Sequence, residues 1–238
     1  MKLYAYCLAD DIDVLEDPAP GISGTPVRLL KTEGFSVLAS DLDADMVQVT
    51  RENALAHAAV VRSILDRTTP LPFRFGTLVT EQQLENYLSA RKRAVETKLS
   101  EVRGCVEMSV KIIRPPSALE PEPNDQTNQG AGTSFLAQKR REILGGEQSA
   151  AEASTISTWL HDQISGLIRD EQVTLRPSEK LVLAAAHLVE RAKVKKYREN
   201  MAEACQSRPD LHFLLSGPWP PYSFANIELE FKTQFGVS

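Results

Sequence analysis

Cysteine is scarce in this 238-residue sequence: Cys7, Cys105 and Cys205 are the full set, an odd number with no CxxC pair among them. The count argues against a disulfide framework, and the spacing against a zinc or dithiol redox site. Each lies among apolar neighbours in a segment that reads as strand or helix, so three buried free thiols are expected. Long hydrophobic runs are missing too. No stretch reaches the roughly 18 apolar residues of a spanning helix, and the apolar run before Asp10 and Asp11 is too short for a secretory signal. The expectation is a cytoplasmic protein without a membrane span. There is no cationic excess either: 27 Lys and Arg face 32 Asp and Glu, leaving a formal charge of -5. Such a chain has no general attraction to nucleic acid or anionic lipid. The basic runs Arg91-Lys92-Arg93, Lys139-Arg140-Arg141 and 193–198 sit in helix-compatible stretches, where they read as solvated faces.

Catalytic signatures are equally lacking. The sequence has no GxSxG, P-loop, GxGxxG or HExxH, and His57, His161, His187 and His212 show no ligand spacing. No catalytic, metal or cofactor residue is assigned, and an enzyme is not expected. Asp41, Asp43, Asp45 and Glu52 do occupy acidic positions of a calcium loop, but Met46 stands where its sharp turn needs glycine. Turn chemistry between a strand and a helix accounts for them. His57, beside Ala56 and Ala58, is read as a hydrogen-bonding residue at a domain surface.

What is present is an ordinary globular composition, 42% hydrophobic and 25% charged, with a pattern that changes along the chain. Residues 2–8 are apolar on both alternating faces and predict a strand central in a sheet. Runs at 27–31 and 35–40 flank Glu33-Gly34 as a hairpin. Between 50 and 67, Ala54, Ala58, Val61 and Leu65 recur at helical spacing. Thr80 and Gln83 form a capping-box pattern ahead of Leu84, Leu88, Val95, Leu99 and Val102. Gly104 closes that helix, and Val106, Met108, Val110 and Ile112 alternate with Glu107, Ser109 and Lys111 as a half-buried strand. Residues 114–132 are rich in proline and poor in large hydrophobes, and read as a linker. The expected division is therefore an α+β domain over 1–113, the linker, and a second α+β domain over 133–238.

The second half begins with a polar helix pair over about 133–169, broken at Gly145-Gly146. A strand signal follows at Val173-Thr174-Leu175. Residues 181–189 form an apolar run that periodicity assigns to neither helix nor strand. A helix over 192–207 buries Val194, Tyr197, Met201 and Cys205 and leads to a strand at 212–215. Ile227, Leu229 and Phe231 alternate near the end.

Two segments are unusual. In Pro70-Leu71-Pro72-Phe73-Arg74-Phe75-Gly76-Thr77, alternation sets Leu71, Phe73 and Phe75 on one face of a short edge strand and Arg74 on the other. A guanidinium there can hold a carboxylate bidentately; a salt bridge pinning the strand to a helix outweighs contact with a partner. In Gly217-Pro218-Trp219-Pro220-Pro221-Tyr222-Ser223-Phe224, the proline-clamped Trp219 reads as an anchor that loses little entropy on docking.

Both segments, with Gly132-Thr133-Ser134-Phe135-Leu136, resemble the GvpF/GvpL family of gas vesicle proteins over essentially the whole chain, and the F member is favoured over the L member. The resemblance implies a strand at 181–189, and two small domains, each a sheet covered by helices in a ferredoxin-like arrangement. It also implies an accessory or minor structural protein associated with the gas vesicle. Such a protein binds the small hydrophobic shell protein (GvpA type) and other accessory proteins, and supports nucleation or assembly without a cofactor. The alternatives are a ligand-binding or regulatory α+β module, and an enzyme with an interdomain site.

Overall fold

The computed structural model describes residues 2–10, 12–15, 17–114, 149–175 and 181–225. The chain divides into two compact units, Met1–Glu107 with Pro218–Ser238, and Met108–Gly217. From 115 onward the expected linker lies outside the described residues, as do Gly132-Thr133-Ser134-Phe135-Leu136, the Gly145-Gly146 break and the terminal alternation at 227–231.

The first unit is organised around β1 (Lys2–Ala9), which is buried from Leu3 to Ala9. It pairs antiparallel with β3 on one side and with two short strands, β4 (Leu71–Pro72) and β5 (Leu78–Val79), on the other. A strand enclosed on both faces needs side chains without charge in both registers, which is what residues 3–9 supply. The hairpin of β2 (Arg28–Thr32) and β3 (Phe35–Leu42) turns through Glu33 and Gly34 at φ +54° and +85°. Two left-handed residues give the turn a twist that matches the flanking strands. The sheet runs β2-β3-β1-β4, with β5 also on β1.

Two helices accompany this sheet. In α1 (Arg51–Ser63) the Thr50 side chain caps the amide of Asn53. Its buried face is His57, Val60 and Val61, continuing to Ile64 and Leu65; Ala54 and Ala58 face solvent, contrary to the spacing argument. Turning the larger side chains inward removes more apolar area from water than burying two methyls would. His57 is thereby placed in the core rather than at a surface. The helix also stops short of 67, closing in turns from Leu65 to Arg62 and from Thr68 to Ile64. In α2 (Glu81–Val102) the capping box of Thr80 and Gln83 is formed in both directions, and Leu84, Leu88, Val95, Leu99 and Val102 are all buried. Gly104, at φ +72°, ends it.

The second unit is built from β6 (Cys105–Ile113), α3 (helical over 149–164), β7 (Ile168–Thr174), β8 (Leu181–Glu190), α4 (Val194–Ser207) and β9 (His212–Trp219). With sheet order β7-β8-β6-β9 this is the ferredoxin-like βαββαβ arrangement. Met108, Val110 and Ile112 of β6 share a core with Ala153, Ile156, Leu160 and Ile164 of α3 and Tyr197 and Met201 of α4. The helical reading up to 169 is corrected: Ile168 and Arg169 already belong to β7, which pairs with β8 from Ile168↔Val189 to Thr174↔Ala184. The apolar run at 181–189 is a strand, as the resemblance implied. On α4 the buried stripe runs through Tyr197, Met201 and Ala204, so Cys205 is only half-buried while Cys7 and Cys105 are enclosed.

Candidate interaction site

Strand β4 pairs with β1 only at Leu71 and Pro72. Phe73 then donates its amide to the Tyr6 carbonyl at 2.9 Å, while the Thr77 carbonyl accepts from the amide of Ala5 at 3.0 Å. Neighbouring residues on β1 are therefore met by residues four apart, and Arg74, Phe75 and Gly76 loop out of the edge as a turn. The Thr77 amide and hydroxyl both donate to the Arg74 carbonyl, at 3.2 and 2.7 Å. Gly76 sits at φ +84°, where a side chain would be strained although space for one exists. Pro70, Leu71, Pro72, Phe73 and Thr77 are buried, Phe75 is partly buried and Arg74 is exposed. The segment is two short pairings joined by an excursion rather than one alternating strand. Among the described residues no carboxylate pairs with Arg74, so the expected salt bridge to a helix is not there.

Beneath the excursion lie Tyr4 and His57. His57 Nδ1 is 2.9 Å from the Tyr4 hydroxyl, and the imidazole also donates to the Phe73 carbonyl. Burial drops the His57 pKa to about 4, with the Phe73 carbonyl opposing, so the ring is neutral near pH 7. Its single proton is spent on Phe73, which makes Nδ1 the acceptor and Tyr4 the donor. The Tyr4 oxygen in turn accepts the Gly76 amide at 3.1 Å. Burial raises the Tyr4 pKa well above the tyrosine range, partly offset by that amide. The Phe75 ring packs edge-on against both, with centroids 6.2 Å from Tyr4 and 5.9 Å from His57.

The C-terminal motif is held differently. Gly217, at φ +118°, offers its carbonyl to Arg198 Nη2 at 2.9 Å. Pro218 and Trp219 end the edge strand β9, where a proline costs no ladder bond. Trp219 is 38% exposed, with the Arg62 guanidinium 5.1 Å above its ring. Pro220 and Pro221 are buried, Tyr222 is partly exposed, and Phe224 is enclosed at the end of a 3-10 turn. That turn is fixed by Glu107, which accepts from both the amide and the hydroxyl of Ser223. Glu107 is only 6% exposed, although β-alternation placed it on the solvent side. The C-terminal turn covers it, a relation that no local pattern signals.

Elsewhere polar clusters have internal uses. Asp41 pairs with Arg28 and Asp45 with Lys2. In the second unit Tyr197, His187 and Glu171 form a Tyr–His–carboxylate line, with Tyr197 2.6 Å from His187 Nδ1 and His187 Nε2 3.9 Å from Glu171. Tyr197 is fully buried. Burial, then the neighbouring His161, lowers the His187 pKa to about 4. Among the described residues no group of three His, Cys, Asp or Glu is placed to hold a metal, and no helix is long and apolar enough to cross a membrane.

Fold and site define an α+β protein of two sheet-and-helix units whose distinctive polar side chains hold turns in place. Residues 2–226 match the family described as gas vesicle synthesis protein GvpL/GvpF, and the chain belongs to that family. It is 29% identical to gas vesicle protein L of Streptomyces sp. (strain CB03234), over 95% of this chain and 94% of that one. It is 24% identical to gas vesicle protein F1 of Halobacterium salinarum, over 99% and 98%. The fold matches the crystal structure of gas vesicle protein GvpF from Anabaena sp. PCC7120 with a TM-score of 0.79 at 19% identity, covering 95% of this chain and 96% of that one. Family membership gives the protein an accessory role in gas vesicles.

Proposed function

We propose that the protein binds the small hydrophobic shell protein of the gas vesicle, of the GvpA type, and supports nucleation or assembly of the vesicle as an accessory or minor structural component. It does so in the cytoplasm at the growing vesicle, with other accessory proteins as further partners and without a chemical step. One observation carries this reading beyond family membership. The 70–77 motif holds a hydrogen-bonded turn with its charged residue outward, which supports a role in contact. A preorganised surface of this kind loses little entropy when it docks. The reading is tested by passing purified full-length protein over immobilised shell protein. Saturable binding is expected, and no binding above that of an unrelated acidic protein would overturn it.

A further inference from the structure

The excursion at residues 73–77 is anchored at every position except one. Phe73 is tied through its amide to Tyr6 and through its carbonyl to His57. Phe75 packs on the Tyr4 and His57 rings. The Gly76 amide is tied to the Tyr4 hydroxyl, and Thr77 closes back on the Arg74 carbonyl while bonding Ala5. Only the Arg74 side chain is left outward. It is exposed, and among the described residues no acid pairs with it, on a chain whose formal charge is -5.

Several other cations are spent within the chain: Lys2, Arg28, Lys98, Arg103, Arg169 and Arg208 each have a carboxylate within 3.2 Å. Arg51, Arg93, Lys111 and Lys195 are, like Arg74, exposed without an acid among the described residues, but they stand on regular helices or strands rather than on a turn held from beneath. On such a surface, an arginine whose backbone is fixed by a buried Tyr–His pair, and whose head group is unspent, is built to receive a carboxylate from outside. The planar guanidinium takes a carboxylate through two parallel hydrogen bonds, which demands the fixed orientation this turn provides.

We propose that Arg74 is a docking point for a carboxylate of the shell protein, and that Tyr4 and His57 are positioning residues that hold the turn presenting it. This rests on the shell-protein reading above. Tyr4 is the hub, because its one hydroxyl serves His57 and Gly76 at once. Removing that oxygen frees the Gly76 amide and leaves the guanidinium in place on a looser turn.

The test compares full-length parent, Arg74→Ala, Arg74→Lys and Tyr4→Phe proteins, each checked by thermal melting, for binding to immobilised shell protein. A second surface carries shell protein whose carboxylates have been converted to neutral amides. Arg74→Ala is expected to melt like the parent but to bind at least about tenfold more weakly, the scale of a charge-assisted hydrogen bond. Arg74→Lys should recover part of the loss, Tyr4→Phe should lose a smaller part, and the parent should bind the amidated surface no better than Arg74→Ala binds the native one. Arg74→Ala binding within about twofold of the parent, or amidation without effect, would overturn the docking point while leaving the shell-protein reading intact. A parent protein that fails to bind native shell protein would instead defeat that reading.

Discussion

Glu107 and Ser223, 116 residues apart, are joined by two hydrogen bonds: the Ser223 amide donates to Oε2 at 2.7 Å and its hydroxyl to Oε1 at 2.9 Å. A buried carboxylate on β6 thus takes the place of a cap for the last described turn. Bonds to a charged acceptor contribute about 1.5–3 kcal/mol each, and a carboxylate left buried without them would be costly. Ser223→Ala is therefore expected to lower stability by about 1–3 kcal/mol, and Glu107→Ala by a similar or larger amount. Chemical unfolding checks both. Two variants as stable as the parent would show that this contact does not hold the C-terminal motif.

Two buried imidazoles predict an acid-labile fold. His57 and His187 each have a folded pKa of about 4, against about 6.5 for an unperturbed histidine. Between those values the unfolded chain binds a proton that the folded chain refuses, so stability is full above pH 6.5 and falls as the pH drops toward 4. The loss is about 2–3 kcal/mol for each histidine by pH 4.5. Urea unfolding at pH 7.5 and 4.5 measures it, with His57→Gln and His187→Gln expected to flatten the slope. A parent slope unchanged by both substitutions would refute the assignment.

Gly21 is predicted to tolerate no side chain, although its φ is ordinary. A Cβ there would lie 2.2 Å from the Tyr6 hydroxyl and 2.6 Å from Ser40 Oγ. The Tyr6 hydroxyl accepts the Ile22 amide, and Ser40 Oγ donates to the Pro26 carbonyl, so neither atom is free to withdraw. Gly21→Ala should cost about 1–3 kcal/mol, the usual range for overpacking. A melting temperature equal to the parent's would contradict this.

Phe73→Ala separates fold from contact at the 70–77 motif. Phe73 is 4% exposed, and truncating such a side chain costs about 3–5 kcal/mol, a large part of a domain's stability. Vesicle yield should fall in this variant together with the melting temperature, whereas Arg74→Ala should lower yield without moving it. Loss of yield at normal melting in Phe73→Ala would reverse the assignment of the two residues.

Much of the fold is legible where the deciding interaction is local. The Thr80–Gln83 box, the left-handed Glu33-Gly34 turn, the stop at Gly104 and the doubly apolar β1 all follow from neighbours within a few residues. Legibility ends where distant chain decides. The face of α1 is set by which side chains the sheet can bury, so Ala54 and Ala58 mislead. Alternation placed Glu107 in solvent because it carries no knowledge of Ser223. The 71–77 segment reads as a strand until Tyr4 and His57, far away in sequence, are seen to draw its middle into a turn. Arg74 stands out in the sequence as a charge between two phenylalanines, but its lack of an acid among the described residues is visible only in the structure.

Contact with the vesicle shell is tested most directly by crosslinking on isolated vesicles. Vesicles would be purified by flotation from cells producing the full-length protein, treated with a short amine-to-carboxylate crosslinker, and the products identified by mass spectrometry. The protein should float with the vesicles and yield a crosslinked species with the shell protein that weakens in cells carrying Arg74→Ala. Absence of the protein from growing and mature vesicles alike, with no shell-protein crosslink in either, would contradict the account.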